Sequence, residues 1–127
     1  MLSTPPECDV HNAPMEIVLF KIRTREDIDP TAYEAAFERM LALVSEIPGF
    51  VGIEGYAGED GSELAVARFE TSEAIAAWRD QPEHAATQER GRREFFESYD
   101  ITVATMNRHY DWRRERVGDT RRSRSKL

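Results

Sequence analysis

The first third of the chain shows two kinds of hydrophobic pattern. A short apolar run lies between Met15 and Arg23, and it predicts a strand that is buried on both faces. From Tyr33 to Ile47 the apolar residues recur every three or four positions, as on one face of an amphipathic helix. We expect this helix to begin at Asp29-Pro30, which can cap it, and to stop at Pro48-Gly49.

The middle of the chain predicts a hairpin followed by an interrupted helix. Two strand-like segments, Phe50–Ala57 and Glu63–Glu70, flank a glycine-containing turn at residues 58–61. A short helix, capped by Ser72, should run through Arg79, and Gln81-Pro82 should interrupt it. We expect a longer helical segment at Glu83–Tyr99 and a last strand at Ile101–Trp112.

The resulting order, β-α-β-β-α-β, is typical of a ferredoxin-like α+β domain. Its crossover connections place both helices on one face of a four-stranded antiparallel sheet. The first and third strands, however, carry apolar residues on both faces, and the helices can cover only one of them. We therefore expect two copies of the chain to dimerise through their sheets.

Length and composition are those of one soluble domain. The chain has 127 residues, of which 40% are hydrophobic and 32% charged. We expect residues 1–14 to form a disordered arm, residues 15–112 the folded domain and residues 113–127 a flexible basic tail. No apolar run reaches the ~20 residues of a membrane span. The arm lacks the basic and apolar regions of a signal peptide, which favours a cytoplasmic protein.

Charge narrows the range of partners. The formal net charge is −7, and residues 113–127 contain seven basic residues against two acidic ones. The rest of the chain is strongly acidic, so we expect neither nucleic acid nor an anionic membrane as a partner. The single cysteine, Cys8, excludes an internal disulfide, and three scattered histidines are a weak signal for a metal site.

One stretch resembles the antibiotic biosynthesis monooxygenase (ABM) superfamily. It contains Trp78, Pro82-Glu83-His84, Gln88 and Gly91-Arg92, and it leads into Phe95-Phe96 and the last strand. Ile47-Pro48-Gly49-Phe50, ahead of the second strand, is also similar to that family. The resemblance covers residues 15–112 and implies a dimeric α+β barrel. It further implies either cofactor-free oxygenation of hydroxyaromatic compounds by dioxygen or heme degradation.

Heme degradation fits the sequence poorly. The heme-degrading relatives use an asparagine on the first strand, a tryptophan on the second helix and an axial histidine further along it. Trp78 matches the tryptophan, but the first strand has Lys21 near the expected position and no asparagine. Gln88 falls near the axial position, and its side chain cannot replace an imidazole ligand. We therefore expect no cofactor, with heme as the less probable alternative.

Several residues of the interrupted helix are predicted to share one face. His84, Gln88, Gly91 and Phe95 are spaced by four, three and four residues. If this face meets the sheet, His84 and Gln88 enter a pocket together with Trp78, and Gly91 permits the close approach. Histidine is the side chain best suited to proton transfer near neutral pH.

These residues define the candidate site. In the catalytic interpretation, His84 is a general base or hydrogen-bond donor to a phenolate, and Trp78 is a stacking wall. The residues that would bind substrate are Gln88, Arg92, Phe37, Tyr33, Phe95 and Tyr99. Structural interpretations of the same residues stay open. The core would then include Trp78, Tyr33 and Phe37. The His84 side chain would form a hydrogen bond that stabilises the interrupted helix, and Arg92 would belong to a surface ion pair.

The leading functional hypothesis is a cofactor-independent monooxygenase that oxidises a hydroxylated aromatic or polyketide-like small molecule with dioxygen. Such an enzyme needs only to hold the substrate, remove a proton and stabilise the anion, because the substrate supplies the electrons. The alternative is a non-catalytic binding or dimerisation module, or a cyclase-like protein, of the same fold, because a fold does not determine an activity.

Overall fold

The computed structural model describes residues 15–115. The expected N-terminal arm, residues 1–14, and most of the expected basic tail, residues 113–127, lie outside this range. Within it, no helix is both long enough and apolar enough to cross a membrane. Seven elements follow one another: β1 (Glu16–Thr24), α1 (Pro30–Val44), β2 (Phe50–Ala57), β3 (Glu63–Phe69), α2 (Ser72–Arg79), α3 (Pro82–Glu94) and β4 (Phe96–Thr105).

The four strands form one antiparallel sheet in the order β2-β3-β1-β4, which is the ferredoxin-like topology. The predicted fold class is therefore confirmed, with three helices because the interruption at Gln81-Pro82 divides the second helical region in two. The central strand, β1, pairs with both β3 and β4, so that Val18 lies between Ala67 and Val103.

The boundary between the last helix and the last strand differs from the sequence-based expectation. Helix α3 ends at Glu94 rather than Tyr99, and β4 spans Phe96–Thr105 rather than Ile101–Trp112. The sheet register explains the difference, because Phe96 pairs with Thr24 and Tyr99 pairs with Ile22 on β1. Pairing with a central strand outweighs the local helical tendency of this segment.

Local sequence signals set the helix starts. The Asp29 carboxylate accepts hydrogen bonds from the amides of Thr31 (3.0 Å) and Ala32 (3.3 Å), and Pro30 begins α1. Helix α2 is capped by Thr71, one residue before the expected Ser72, through its Oγ1 and the Ala74 amide at 3.0 Å.

The core is packed at two ends of the helix-covered face. At one end Val44, Phe69 and Ala74 are buried together. At the other end Ile22 and Phe95 are buried. Between the two clusters the helices and the sheet are less tightly packed, and the candidate site lies there.

Candidate functional site

A cavity of about 140 Å³ lies between the helices and the sheet. Its walls are mostly aliphatic and aromatic, and the lining side chains that carry a polar group are those of Tyr33, Trp78, His84, Thr87 and Gln88. Such a composition is usual for small-molecule sites, which combine apolar walls with a few polar groups. Six of the residues predicted to form the site line this cavity: His84, Trp78, Gln88, Tyr33, Phe37 and Phe95.

His84 is held in one orientation by Trp78. Its ring stacks on the indole at a centroid distance of 3.8 Å and an interplanar angle of 15°. His84 Nδ1 lies 2.9 Å from the backbone oxygen of Trp78. A carbonyl oxygen can only accept a hydrogen bond, so Nδ1 carries the proton and the lone pair of the neutral ring is on Nε2.

Burial lowers the pKa of His84 from its ordinary value, although the hydrogen bond to the Trp78 carbonyl acts in the opposite direction. The imidazole is therefore neutral at pH 7, with its free lone pair on Nε2. A neutral histidine with one unprotonated nitrogen is the form that a general base requires.

The helix interruption supplies the carbonyl that holds His84. In a continuous helix the Trp78 oxygen would accept from the amide of residue 82, but Pro82 has no N–H. The oxygen instead accepts from the Gln81 amide at 3.2 Å and from His84 Nδ1. The Gln81 side chain caps the next helix, because its Oε1 accepts from the His84 amide at 2.7 Å.

The next turns of α3 continue the same face. Thr87 and Gln88 line the cavity beyond His84. Gly91 is buried, and a Cβ at this position would overlap the Phe96 ring. The absence of a side chain on Gly91 therefore lets the Phe96 ring pack directly against the helix, as the sequence suggested for this glycine.

Tyr33 forms part of the opposite wall. Its hydroxyl donates to Oε1 of Glu63 at 3.2 Å, and its ring contacts Phe95 edge to face at 5.3 Å. Burial, together with the charge and hydrogen bond of Glu63, raises the pKa of the Tyr33 phenol. Tyr33 therefore stays protonated at physiological pH and cannot act as the base.

Two predicted substrate-binding residues, Arg92 and Tyr99, do not line the cavity. Arg92 donates to the Tyr99 hydroxyl at 2.9 Å and to Oε1 of Glu89 at 2.9 Å. These two bonds raise the pKa of Arg92 and connect α3 to β4. The arrangement agrees with the interpretation of Arg92 as a surface ion pair.

Sequence reasoning did not single out several residues of the site. Thr87 lines the cavity beside Gln88, and Glu63 holds the Tyr33 hydroxyl from β3. The contact between Glu63 on β3 and Tyr33 on α1 depends on how the helix packs on the sheet, and no local pattern in the sequence predicts it. One signal was available: Pro82 follows Trp78 by four residues, which predicts an unpaired carbonyl on Trp78.

The cavity does not fit heme. At about 140 Å³ it is too small to surround a tetrapyrrole, and in the described part of the chain no lysine or arginine lines it to pair with the propionates. Within residues 15–115 no cluster of three or more histidine, cysteine or acidic residues is arranged to hold a metal ion.

Comparison with known proteins gives a family and a fold. A family model described as Antibiotic biosynthesis monooxygenase matches residues 15–90. The chain is 35% identical over 92 residues to Uncharacterized protein YqjZ of Bacillus subtilis, a match that covers 72% of this chain and 78% of that protein.

Two solved structures illustrate the shared fold. Rv0793 from Mycobacterium tuberculosis has a TM-score of 0.66 at 16% identity, covering 76% of this chain and 99% of that one. SnoaB from Streptomyces nogalater, described as a cofactor-independent oxygenase, has a TM-score of 0.64 at 18% identity. The match covers 76% of this chain and 97% of SnoaB.

Proposed function

Because the chain belongs to the antibiotic biosynthesis monooxygenase family, we propose that it is a cofactor-independent monooxygenase that oxidises a hydroxylated aromatic small molecule with dioxygen. The observation that carries the proposal is the position of His84 on the wall of an apolar cavity, with its Nδ1 2.9 Å from the Trp78 carbonyl oxygen and its pKa lowered by burial. The similarity in fold to SnoaB is consistent with it.

Proton removal would be the contribution of the protein. Nε2 of His84 takes the proton of the substrate hydroxyl, and the imidazolium that forms keeps its Nδ1–H bond to the Trp78 carbonyl. The new Nε2–H then donates to the phenolate oxygen. Apolar walls strengthen this charged hydrogen bond, because little water competes for it. The Trp78 indole holds the imidazole ring from one face.

The redox chemistry balances without a cofactor. The phenolate ring transfers electrons to dioxygen, and a C–O bond forms at a hydrogen-bearing ring carbon ortho or para to the hydroxyl. That carbon loses its hydrogen and becomes the second carbonyl of a quinone. One atom of dioxygen enters the quinone, and the other leaves as water, with the two hydrogens that the substrate has lost.

We propose that the active species is a homodimer that associates through the sheet face opposite the helices. Ile17 and Leu19 on β1 share this face with Leu64 and Val66 on β3, as the pairing of Leu19 with Val66 requires. A patch of this kind on a single chain is an expected association surface.

Measuring dioxygen consumption by a variant with His84 substituted tests the proposed chemistry. The variant His84→Asn keeps a side-chain donor for the Trp78 carbonyl but has no basic nitrogen. We expect it to lower the rate of dioxygen uptake about 100-fold or more with whichever hydroquinone or anthrone the wild-type protein oxidises, the usual contribution of a general base.

His109→Asn is the matched control, because His109 is exposed after the last strand and lies outside the cavity. It should leave the rate unchanged. Equal rates in wild type and His84→Asn would contradict the role of His84. If ligands bind in the cavity but no phenol, hydroquinone or anthrone stimulates dioxygen uptake, the non-catalytic binding module is supported instead.

A further inference from the structure

The cavity volume limits the size of the ligand. At about 140 Å³ it is about as large as an engineered apolar cavity of ~150 Å³ in another protein, which binds benzene. Sites for drug-sized molecules usually occupy ~300–1,000 Å³. The space inside the walls therefore holds about one six-membered ring with small substituents, and three fused rings would extend out of it into solvent.

The lining residues limit the charge of the ligand. Among residues 15–115, no lysine, arginine, aspartate or glutamate lines the cavity. A ligand carboxylate or phosphate would lose its hydration without gaining a cationic partner, which is costly in an apolar site. The Glu63 carboxylate accepts a hydrogen bond from the Tyr33 hydroxyl in the wall, and its negative charge would repel an anion.

The polar groups that can meet a ligand lie on one side. His84, Thr87 and Gln88 all belong to α3, at spacings that place them along one helix face. Tyr33, on the other side, already donates its hydroxyl proton to Glu63. A ligand in this cavity therefore has its hydroxyl toward α3 and an apolar remainder toward the sheet and α1.

From these three observations we infer that the site prefers uncharged single-ring phenols and hydroquinones with small apolar substituents, and that it binds polycyclic anthrones and acidic phenols more weakly. The inference rests on the proposed function in assigning these compounds as substrates. The binding specificity itself follows from the volume, the lining and the position of the polar groups.

Calorimetric titration of the purified full-length protein tests the specificity without requiring turnover. The probes are p-cresol, 1-naphthol and 2-anthrol, which carry one hydroxyl on one, two and three rings, and 4-hydroxybenzoate, which adds a carboxylate to one ring. We expect p-cresol to bind one-to-one, and both 2-anthrol and 4-hydroxybenzoate to bind at least about tenfold more weakly, or not at all.

A matched pair of variants places the binding in the cavity. Ala36 lines the cavity on α1, whereas its neighbour Ala35 is exposed and does not. Ala36→Leu should fill the space and weaken p-cresol binding at least about tenfold, while Ala35→Leu should leave it unchanged. Tighter binding of 2-anthrol than of p-cresol, equal binding of 4-hydroxybenzoate, or no effect of Ala36→Leu would overturn the inference.

Dioxygen uptake, measured separately, distinguishes the two proposals. Binding of p-cresol that Ala36→Leu weakens, without dioxygen uptake on any single-ring phenol or hydroquinone, would support the specificity and contradict the oxygenase. Uptake that depends on His84 but occurs only with anthrones would support the oxygenase and contradict the specificity.

Discussion

The protonation of His84 is decided by two opposing contacts. Burial disfavours the imidazolium, and the Trp78 carbonyl favours it, with burial the larger of the two. The pKa of His84 should therefore lie below its ordinary value of 6.5. The base form, and with it activity, should persist at pH values where an exposed histidine is already protonated.

Fluorescence of Trp78 can measure this pKa. Because the imidazole stacks on Trp78, its protonation should quench the indole, and Trp112→Phe leaves Trp78 as the only tryptophan. As the pH is lowered, we expect the fluorescence emission of this variant to decrease, in a transition whose midpoint lies below pH 6.5. His84→Asn in the same background should remove the transition, and a midpoint above 6.5 would contradict the effect of burial.

The same shift affects stability in a definite direction. A histidine with a lowered pKa in the folded state binds more protons when the chain is unfolded, so the free energy of unfolding rises with pH. The His84 contribution is complete above pH 6.5 and is lost as the pH falls through that value toward the folded-state pKa. Urea unfolding at pH 7.5 and 5.5 measures this effect. The free energy of unfolding should decrease less between the two pH values in His84→Asn than in the wild type.

At the scale of the elements, the break between α2 and α3 positions the base. Pro82 cannot donate to the Trp78 oxygen, so that oxygen remains available to His84 Nδ1. In Pro82→Ala the new amide should compete for the oxygen. We expect the Nδ1–H tautomer to lose its preference and the pKa of His84 to fall further, since the hydrogen bond that raises it is weakened.

Nitrogen NMR of the imidazole ring measures both effects. Pro30→Ala is the matched control, because Pro30 also begins a helix but does not line the cavity that contains His84. It should leave the His84 signals unchanged. An unaltered tautomer ratio in Pro82→Ala would show that the stacking on Trp78 alone orients the ring.

The element scale also shows what the sequence could predict. The order of strands and helices followed from hydrophobic spacing and from local stops such as Pro48-Gly49, because these signals lie within a few residues. The end of α3 did not, since Phe96 and Tyr99 join the sheet through pairing with residues more than 70 positions away. His84 and Gln88 were found because one helix face holds both, but the partner of Tyr33, Glu63, was set by tertiary packing.

For the whole molecule, the two faces of the sheet have different roles. The helix-covered face holds both the core and the cavity, so Val18 and Phe20 pack toward the helices. The opposite face presents apolar side chains from β1 and β3 that no helix covers in the described part of the chain. Aromatic residues after β4 are also exposed, Tyr110 at 78% and Trp112 at 75%. A second copy of the chain would bury such surfaces.

Sedimentation or light scattering tests this association. We expect a mass of twice 14.6 kDa, and Leu19→Lys should convert the protein to a monomer, because it places a charge at the centre of the apolar face. Val66→Lys, on the strand paired with Leu19, should have the same effect. Ala77→Lys, on the exposed side of α2, should remain dimeric. Circular dichroism would establish that each variant is folded. A wild-type mass of 14.6 kDa would contradict association through this face. The same conclusion would follow if both Leu19→Lys and Val66→Lys were folded and dimeric.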